Sequence, residues 1–126
     1  MRPNDLKERT MRFAVTATRL CRTMQNDWPA HRLADQMFRS ATSVAANYHA
    51  ACRARSRREF VAKLGLVVEE AEETVFWLEF GVRAGLARAD TCDPVIHEAR
   101  QLLAIFTASA KTAAAPPRRP QDSSSV

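Results

Sequence analysis

At 126 residues the chain has the length of one domain, and 46% apolar residues are enough for a core, while only 3 glycines are too few for a turn-rich β protein. No apolar run approaches the ~18 residues of a membrane span, and no apolar stretch follows the opening charges as a secretory leader would require, so the cytoplasm is the expected location. The net charge of +5 is uneven: residues 1–63 hold 13 Lys/Arg against 5 Asp/Glu and residues 64–126 hold 6 against 9, an asymmetry that points to pairing between subunits or to an anionic partner.

The first predicted element is a helix over about Asp5–Gln25. Leu6, Thr10, Phe13, Ala17, Leu20 and Met24 alternate steps of four and three and so share one stripe. Asn26-Asp27-Trp28-Pro29 breaks the chain, and Pro29 suits the first turn of the next helix, where a missing N–H costs nothing. That second helix is expected over about Ala30–Ala54. Leu33, Met37, Ser40, Val44, Asn47 and Ala51 form its stripe, with Ala41, Ala45, Tyr48 and Cys52 beside it. Small residues here allow a neighbouring helix close, and Ser40, Ser43 and Asn47 would form a polar packing strip within that contact. If Asn47 has buried partners, Asn47→Leu should cost about 1–3 kcal/mol.

Ser56-Arg57-Arg58-Glu59 reads as a capping box, with the Ser56 hydroxyl accepting an N–H and Glu59 reaching back to the cap. The third helix then runs over about Arg57–Ala84 and stops at Gly85. Phe60, Leu64, Val67, Ala71, Thr74 and Leu78 make its seam. Leu66, Phe76, Trp77 and Phe80 widen the apolar surface beyond what one seam uses, and this surplus is a candidate oligomer interface. Asp93-Pro94 is expected to open the fourth helix with Asp93 as its cap, and Cys92, Ile96, Ala99, Leu103, Phe106 and Ala110 continue the four-three spacing. The end of the chain, rich in proline, arginine and serine, reads as a disordered tail over residues 115–126 behind a bundle over 1–114. The expected fold is all-α, an antiparallel up-down-up-down left-handed four-helix bundle.

Catalytic machinery is not recognisable. The carboxylate-bridged di-iron site of some bundles needs Glu-x-x-His pairs, and none of the 3 histidines has a glutamate three residues before it. His49 and Cys52 share a helix face, and Cys92 and His97 join them only through a favourable fold, so a metal-binding or redox protein is a weak alternative. The 3 cysteines, an odd number at wide spacing, do not suggest a disulfide framework. Neither a cofactor nor a metal is expected.

Charge is more informative. Glu69, Glu70, Glu72, Glu73 and Glu79 interleave with the third seam. Glu59 to Lys63 and Glu79 to Arg83 are favourable pairs four apart. An inward Glu70 or Glu73 needs a cation, for which Arg39 and Arg55 are candidates. Arg53, Arg55, Arg57, Arg58 and Lys63 cluster at a helix start, where cations oppose the macrodipole. Three readings stay open for this cluster: pairing with glutamates within the chain or between subunits, contact with RNA or DNA phosphates, or plain solvation.

The middle of the chain carries a resemblance. Arg39-Ser40, Ser43, Ala46-Asn47-Tyr48, Ala51, Ala54, Ser56, Phe60, Lys63, Glu70-Ala71, Glu73-Thr74 and Trp77-Leu78 resemble the small bacterial four-helix bundle family related to proteins encoded within intervening sequences of 23S rRNA genes. After Asn-Tyr the family often has Arg-Glu, where this chain has His49-Ala50. The resemblance implies a left-handed bundle that assembles as a ring-shaped homopentamer, with no enzyme activity. A relative of similar fold, the accessory protein of diversity-generating retroelements, is a basic pentamer that binds a reverse transcriptase and nucleic acid; by analogy a reverse transcriptase is a possible class of protein partner. The expected function is therefore a self-associating scaffold or accessory protein, with nucleic-acid binding as the alternative.

Overall fold

A computed structural model describes residues 2–24 and 26–116. Four helices follow one another: α1 (Pro3–Arg22), α2 (Trp28–Cys52), α3 (Arg57–Arg83) and α4 (Ala89–Ala114). Each helix packs on its neighbours in the cyclic order α1, α2, α3, α4, and the diagonal pairs α1/α3 and α2/α4 do not approach along their backbones. Paired residues show that α2 and α3 run in opposite directions: Ser40 meets Thr74, and Leu33 meets Gly81. The same holds for α3 and α4, where Arg57 meets Ala113 and Arg100 meets Glu79. Connections of four or five residues between helices roughly 30–40 Å long permit nothing else for sequential neighbours in contact.

The helix ends follow local chemistry. Asp27 caps α2, its Oδ1 accepting from the Ala30 N–H at 2.9 Å, so the helix starts two residues earlier than expected and Pro29 falls in its first turn. Ser56 Oγ accepts from the Glu59 N–H at 3.1 Å, as the capping box requires. The reciprocal half differs: the Glu59 carboxylate accepts from the Arg55 N–H at 3.1 Å, one residue ahead of the cap. Gly85, at φ +74°, ends α3 in a Schellman turn, with Leu86 N–H donating to the Gly81 carbonyl and Gly85 N–H to that of Val82. α4 opens at Ala89, a turn before the expected Asp93-Pro94, so Pro94 lies inside the helix. The carbonyl its absent N–H leaves unpaired is that of exposed Asp90, where water can replace the bond. Burial of Cys92 on the preceding turn favours keeping that turn helical.

The core is one cluster drawn from all four helices. α1 contributes Leu6, Thr10, Phe13, Ala17 and Leu20, and α3 contributes Leu64, Val67, Ala71, Thr74 and Leu78, as the spacing predicts. On α4 the buried stripe is Cys92, Val95, Ala99, Leu102 and Phe106, whereas Ile96 and Leu103 are half-buried. Val95-Ile96 and Leu102-Leu103 are adjacent apolar pairs, and a four-three pattern accepts either member of each. On α2 the small residues Ala41, Ala45 and Ala51 are buried and bring α3 and α1 close. Tyr48 and Phe106 meet across the core with ring centroids 5.0 Å apart. The expected tail falls almost entirely on residues 117–126, which lie outside the described residues.

Candidate functional site

Two surfaces concentrate unusual chemistry: the outer side of α3 and one end of the bundle. The α2–α3 seam between them holds the polar residues singled out in the sequence. Ser40 and Thr74 are fully buried, and their hydroxyl oxygens are 2.9 Å apart. Thr74 Oγ1 also lies 2.8 Å from the Glu70 carbonyl, and Ser40 Oγ 3.3 Å from that of Met37. One hydroxyl therefore donates across the seam while the other donates to a carbonyl of its own helix. Asn47 differs from the expectation. It is half-buried, and its amide donates at 2.9 Å to the Ser43 carbonyl of the same helix rather than crossing to α3.

Above this pair, Arg39 spans the seam to both acidic candidates. Its Nη1 reaches the Glu70 carboxylate at 3.2 and 3.3 Å, and its Nη2 donates to Glu73. Trp77 Nε1 donates to the same Glu73 oxygen at 3.2 Å. The Arg39 hydrogen bond, against a small burial cost, holds the Glu73 carboxyl below its ordinary value. Arg55 does not join this network; only its backbone N–H meets a carboxylate, that of Glu59. Glu79 turns to Arg100 on α4 rather than to Arg83 along its own helix. Arg9 of α1 clasps Glu98 of α4 through two 2.8 Å hydrogen bonds. The sequence reading missed this pair because a contact between the first and last helices leaves no short-range spacing.

At the end of the bundle, the five basic candidates separate. Arg57 is occupied: its Nε donates to the Ala113 carbonyl at 2.8 Å and its Nη2 to that of Ala115. The antiparallel fold places the start of α3 beside the end of α4, so a cation that opposes its own helix dipole satisfies its neighbour's. Arg53, Arg55 and Arg58 are exposed, and among the described residues none of their guanidiniums reaches a carboxylate. Lys63 is half-buried and forms no ion pair with Glu59. Chain direction brings Arg2 at the start of α1 and Lys111 at the end of α4 to this same end, which makes it strongly basic.

The outer side of α3 is apolar. Leu66 is 41% exposed, Phe76 56% and Phe80 43%, and Trp77 is half-buried. Phe76 and Trp77 meet edge-on at 4.9 Å, Trp77 and Phe80 edge-on at 6.1 Å, and Phe76 stacks on Phe80 at 6.1 Å. A groove beside Trp77 and Phe80 continues over Leu86 and Pro29 to Trp28 at the start of α2. Intrachain packing accounts for the seam of α3 and part of Trp77, and leaves Phe76 and Phe80 about half exposed.

The weak metal candidates are not brought together. His49 and Cys52 lie at the end of α2 and Cys92 near the start of α4, which the topology puts at opposite ends. His49 Nδ1 is already 2.8 Å from the Ala45 carbonyl. Among the described residues no group of three or more His, Cys, Asp or Glu is placed to hold a metal ion. Burial pushes the Cys21 thiol up to about 11, so it is protonated at neutral pH and a poor nucleophile. Among the described residues no helix is long and apolar enough to cross a membrane.

The family described as 23S rRNA-intervening sequence protein matches residues 2–108. The chain belongs to that family. The resemblance read from the middle of the sequence thus extends through α1 and most of α4. A crystal structure of a protein with unknown function from the S23 ribosomal protein family of Bacteroides thetaiotaomicron is similar, at 28% identity and a TM-score of 0.81, covering 88% of this chain and 99% of that one. Comparison with curated proteins found no match.

Proposed function

We propose that this family member is a non-catalytic bundle that works by self-association, a scaffold or accessory protein whose principal surface is the outer side of α3. The observation that carries this reading is the cluster of Phe76, Trp77 and Phe80, in which Phe76 and Phe80 are exposed. Aromatic side chains in one contiguous patch are what oligomer interfaces use and what an isolated subunit leaves covered. Trp77 is half-buried against the core, whereas Phe76 and Phe80 leave about half of their surface exposed. Light scattering on the purified chain tests the reading. A mass that is a multiple of 14.1 kDa at micromolar concentration is expected; a clean monomer there sinks it.

A second reading has its own observation. The guanidiniums of Arg53, Arg55 and Arg58 have no carboxylate partner among the described residues, and Arg2 and Lys111 stand at the same end. Guanidiniums held outward in this way suit phosphate oxygens. Among the described residues no large aromatic side chain is exposed at this end, which favours backbone contact over base stacking. RNA and DNA should be retained without sequence preference at low salt and released as salt rises, because phosphate contacts release counterions. No retention at low salt removes this second reading and leaves the first untouched.

A further inference from the structure

The middle of α3 carries charge of one sign. Between Lys63 and Arg83 it holds Glu69, Glu70, Glu72, Glu73 and Glu79 and no cation. The neighbouring helices compensate little at that level: α2 has no lysine or arginine between Arg39 and Arg53, and α4 has none between Arg100 and Lys111. Arg39 serves Glu70 and Glu73, and Arg100 serves Glu79. Glu69 and Glu72 are exposed and form no ion pair among the described residues. Leu66, also exposed, stands one turn before Glu69. Two free carboxylates beside an apolar side chain suit a cationic segment that carries apolar residues between its charges.

Such a segment begins where α4 ends. Arg57, at the start of α3, holds the Ala113 and Ala115 carbonyls, and Ala115 leaves α4 in an extended conformation at φ −64° and ψ 146°. Pro116-Pro117-Arg118-Arg119-Pro120 follows, beyond residues 2–108 that the family matches. We propose that this segment folds back along α3 of its own chain, with Arg118 and Arg119 facing Glu69 and Glu72 and the prolines over Leu66. The reach agrees. A chain spans at most about 3.6 Å per residue, so Arg119 stands up to about 14 Å from Ala115. Glu69 lies twelve residues along α3 from Arg57, about 18 Å up the axis, and Glu72 one turn further. Helical side chains lean toward the N-terminus of their helix, so the glutamates lean toward the approaching arginines, and the length of an arginine side chain closes the gap.

Charge sets the direction. At its start the segment is repelled by Arg53, Arg55, Arg58 and Lys111, which share that end of the bundle. On α1 the carboxylates near this end, Asp5 and Glu8, are interleaved with Arg2, Lys7, Arg9 and Arg12, and Asp5 already accepts from the Arg2 N–H. α3 instead offers Glu69 and Glu72 with no cation beside them on their own helix. Each exposed pair is weak alone, but a short tether holds the arginines near α3 at an effective concentration on the order of millimolar. The contact leaves Phe76, Trp77 and Phe80 uncovered, so it does not depend on the self-association reading.

A spin label at Gln121→Cys tests this by nuclear magnetic resonance of the full chain, in a Cys52→Ser background that removes the exposed thiol. Relative to Cys52→Ser treated the same way, α3 amides from about Gly65 to Phe76 should lose signal intensity, because the label is carried along the helix. The loss should disappear in Glu69→Arg/Glu72→Arg and return when Arg118→Glu/Arg119→Glu is added. Asp5→Arg/Glu8→Arg should leave it unchanged. Intensity lost on α1 instead of α3, or a loss on α3 that survives Glu69→Arg/Glu72→Arg, overturns the proposal. A mixture of spin-labelled chain with isotope-enriched unlabelled chain separates copies: no loss is expected on the unlabelled chain, and a loss there would show the segment docking on a neighbour and overturn the fold-back.

Discussion

The two sides of α3 are built from the same apolar alphabet and end in opposite environments. Inward, Leu64, Val67, Ala71 and Leu78 are buried, and their sizes match the room left by the alanines of α2 and the stripe of α4. Outward, Leu66, Phe76 and Phe80 stay about half exposed. The inner side is aliphatic and graded in size, as helix packing demands; the outer side is aromatic and bordered by charge, as recognition demands. The contrast teaches that one helix can serve a core and a partner at once. The excess over the seam is what betrays the second role.

The sharpest way to break that contrast is to truncate leucines on either side. Leu64→Ala should cost about 2–5 kcal/mol through a cavity in the core. Leu66→Ala, two residues on, should change the stability of the dissociated subunit by no more than about 0.5 kcal/mol. Chemical denaturation at concentrations below association separates the two; equal costs would mean that Leu66 is a core residue. Next in size is the buried hydroxyl pair. Thr74→Val should cost about 1–2 kcal/mol by leaving Ser40 one partner short, and Ser40→Ala/Thr74→Val should cost less than the sum of the single changes. Additive costs would show that the two hydroxyls do not act together.

Gly65 lies mid-helix with nothing within 4 Å of where a Cβ would stand. Gly65→Ala should therefore raise subunit stability by about 1 kcal/mol, read as a higher denaturation midpoint. If it stabilises the subunit but weakens assembly, the partner comes close to the helix at that point. Arg39 gives a smaller effect, at most about 1 kcal/mol, because the pair is largely solvated. Since Glu73 is depressed in the folded state, its contribution is present above the ordinary glutamate value of 4.5 and is lost as pH falls through the lower folded value. Arg39→Met should flatten that acid limb of the stability curve; an unchanged limb would show that the pair contributes nothing. The smallest effect is expected for Asn47→Leu, within about 0.5 kcal/mol, because among the described residues Asn47 donates only to a carbonyl of its own helix. A larger loss would reveal a partner on another helix.

The helices and three of the four core stripes were legible from spacing, because burial of a helix face imprints a period on the sequence. α4 was less so, since Val95-Ile96 and Leu102-Leu103 satisfy that period twice over. Its start was misplaced because a proline favours a first turn but is also tolerated where the carbonyl it leaves unpaired meets water. The surplus on α3 was legible as composition, but its division into a seam and an aromatic patch needed the neighbours' positions. The arginines were least legible. Arg39, Arg55 and Arg57 look alike in sequence; one bridges two helices, one extends no ion pair among the described residues, and one holds the end of α4. These fates depend on which helix ends lie side by side, and local sequence carries no record of that.

The Ser40–Thr74 contact has a consequence for folding fidelity. Stripes that repeat every three or four residues along α2 and α3 would interlock almost as well if one helix slid a heptad along the other. In a bundle slid so that Ser40 faces Val67 and Thr74 faces Leu33, the bond between the two hydroxyls is lost and each falls back on a carbonyl of its own helix, at a cost of about 1 kcal/mol. A contact that adds little to the total stability thus widens the gap between the correct alignment and its nearest competitor, and it acts as a key that only one register turns.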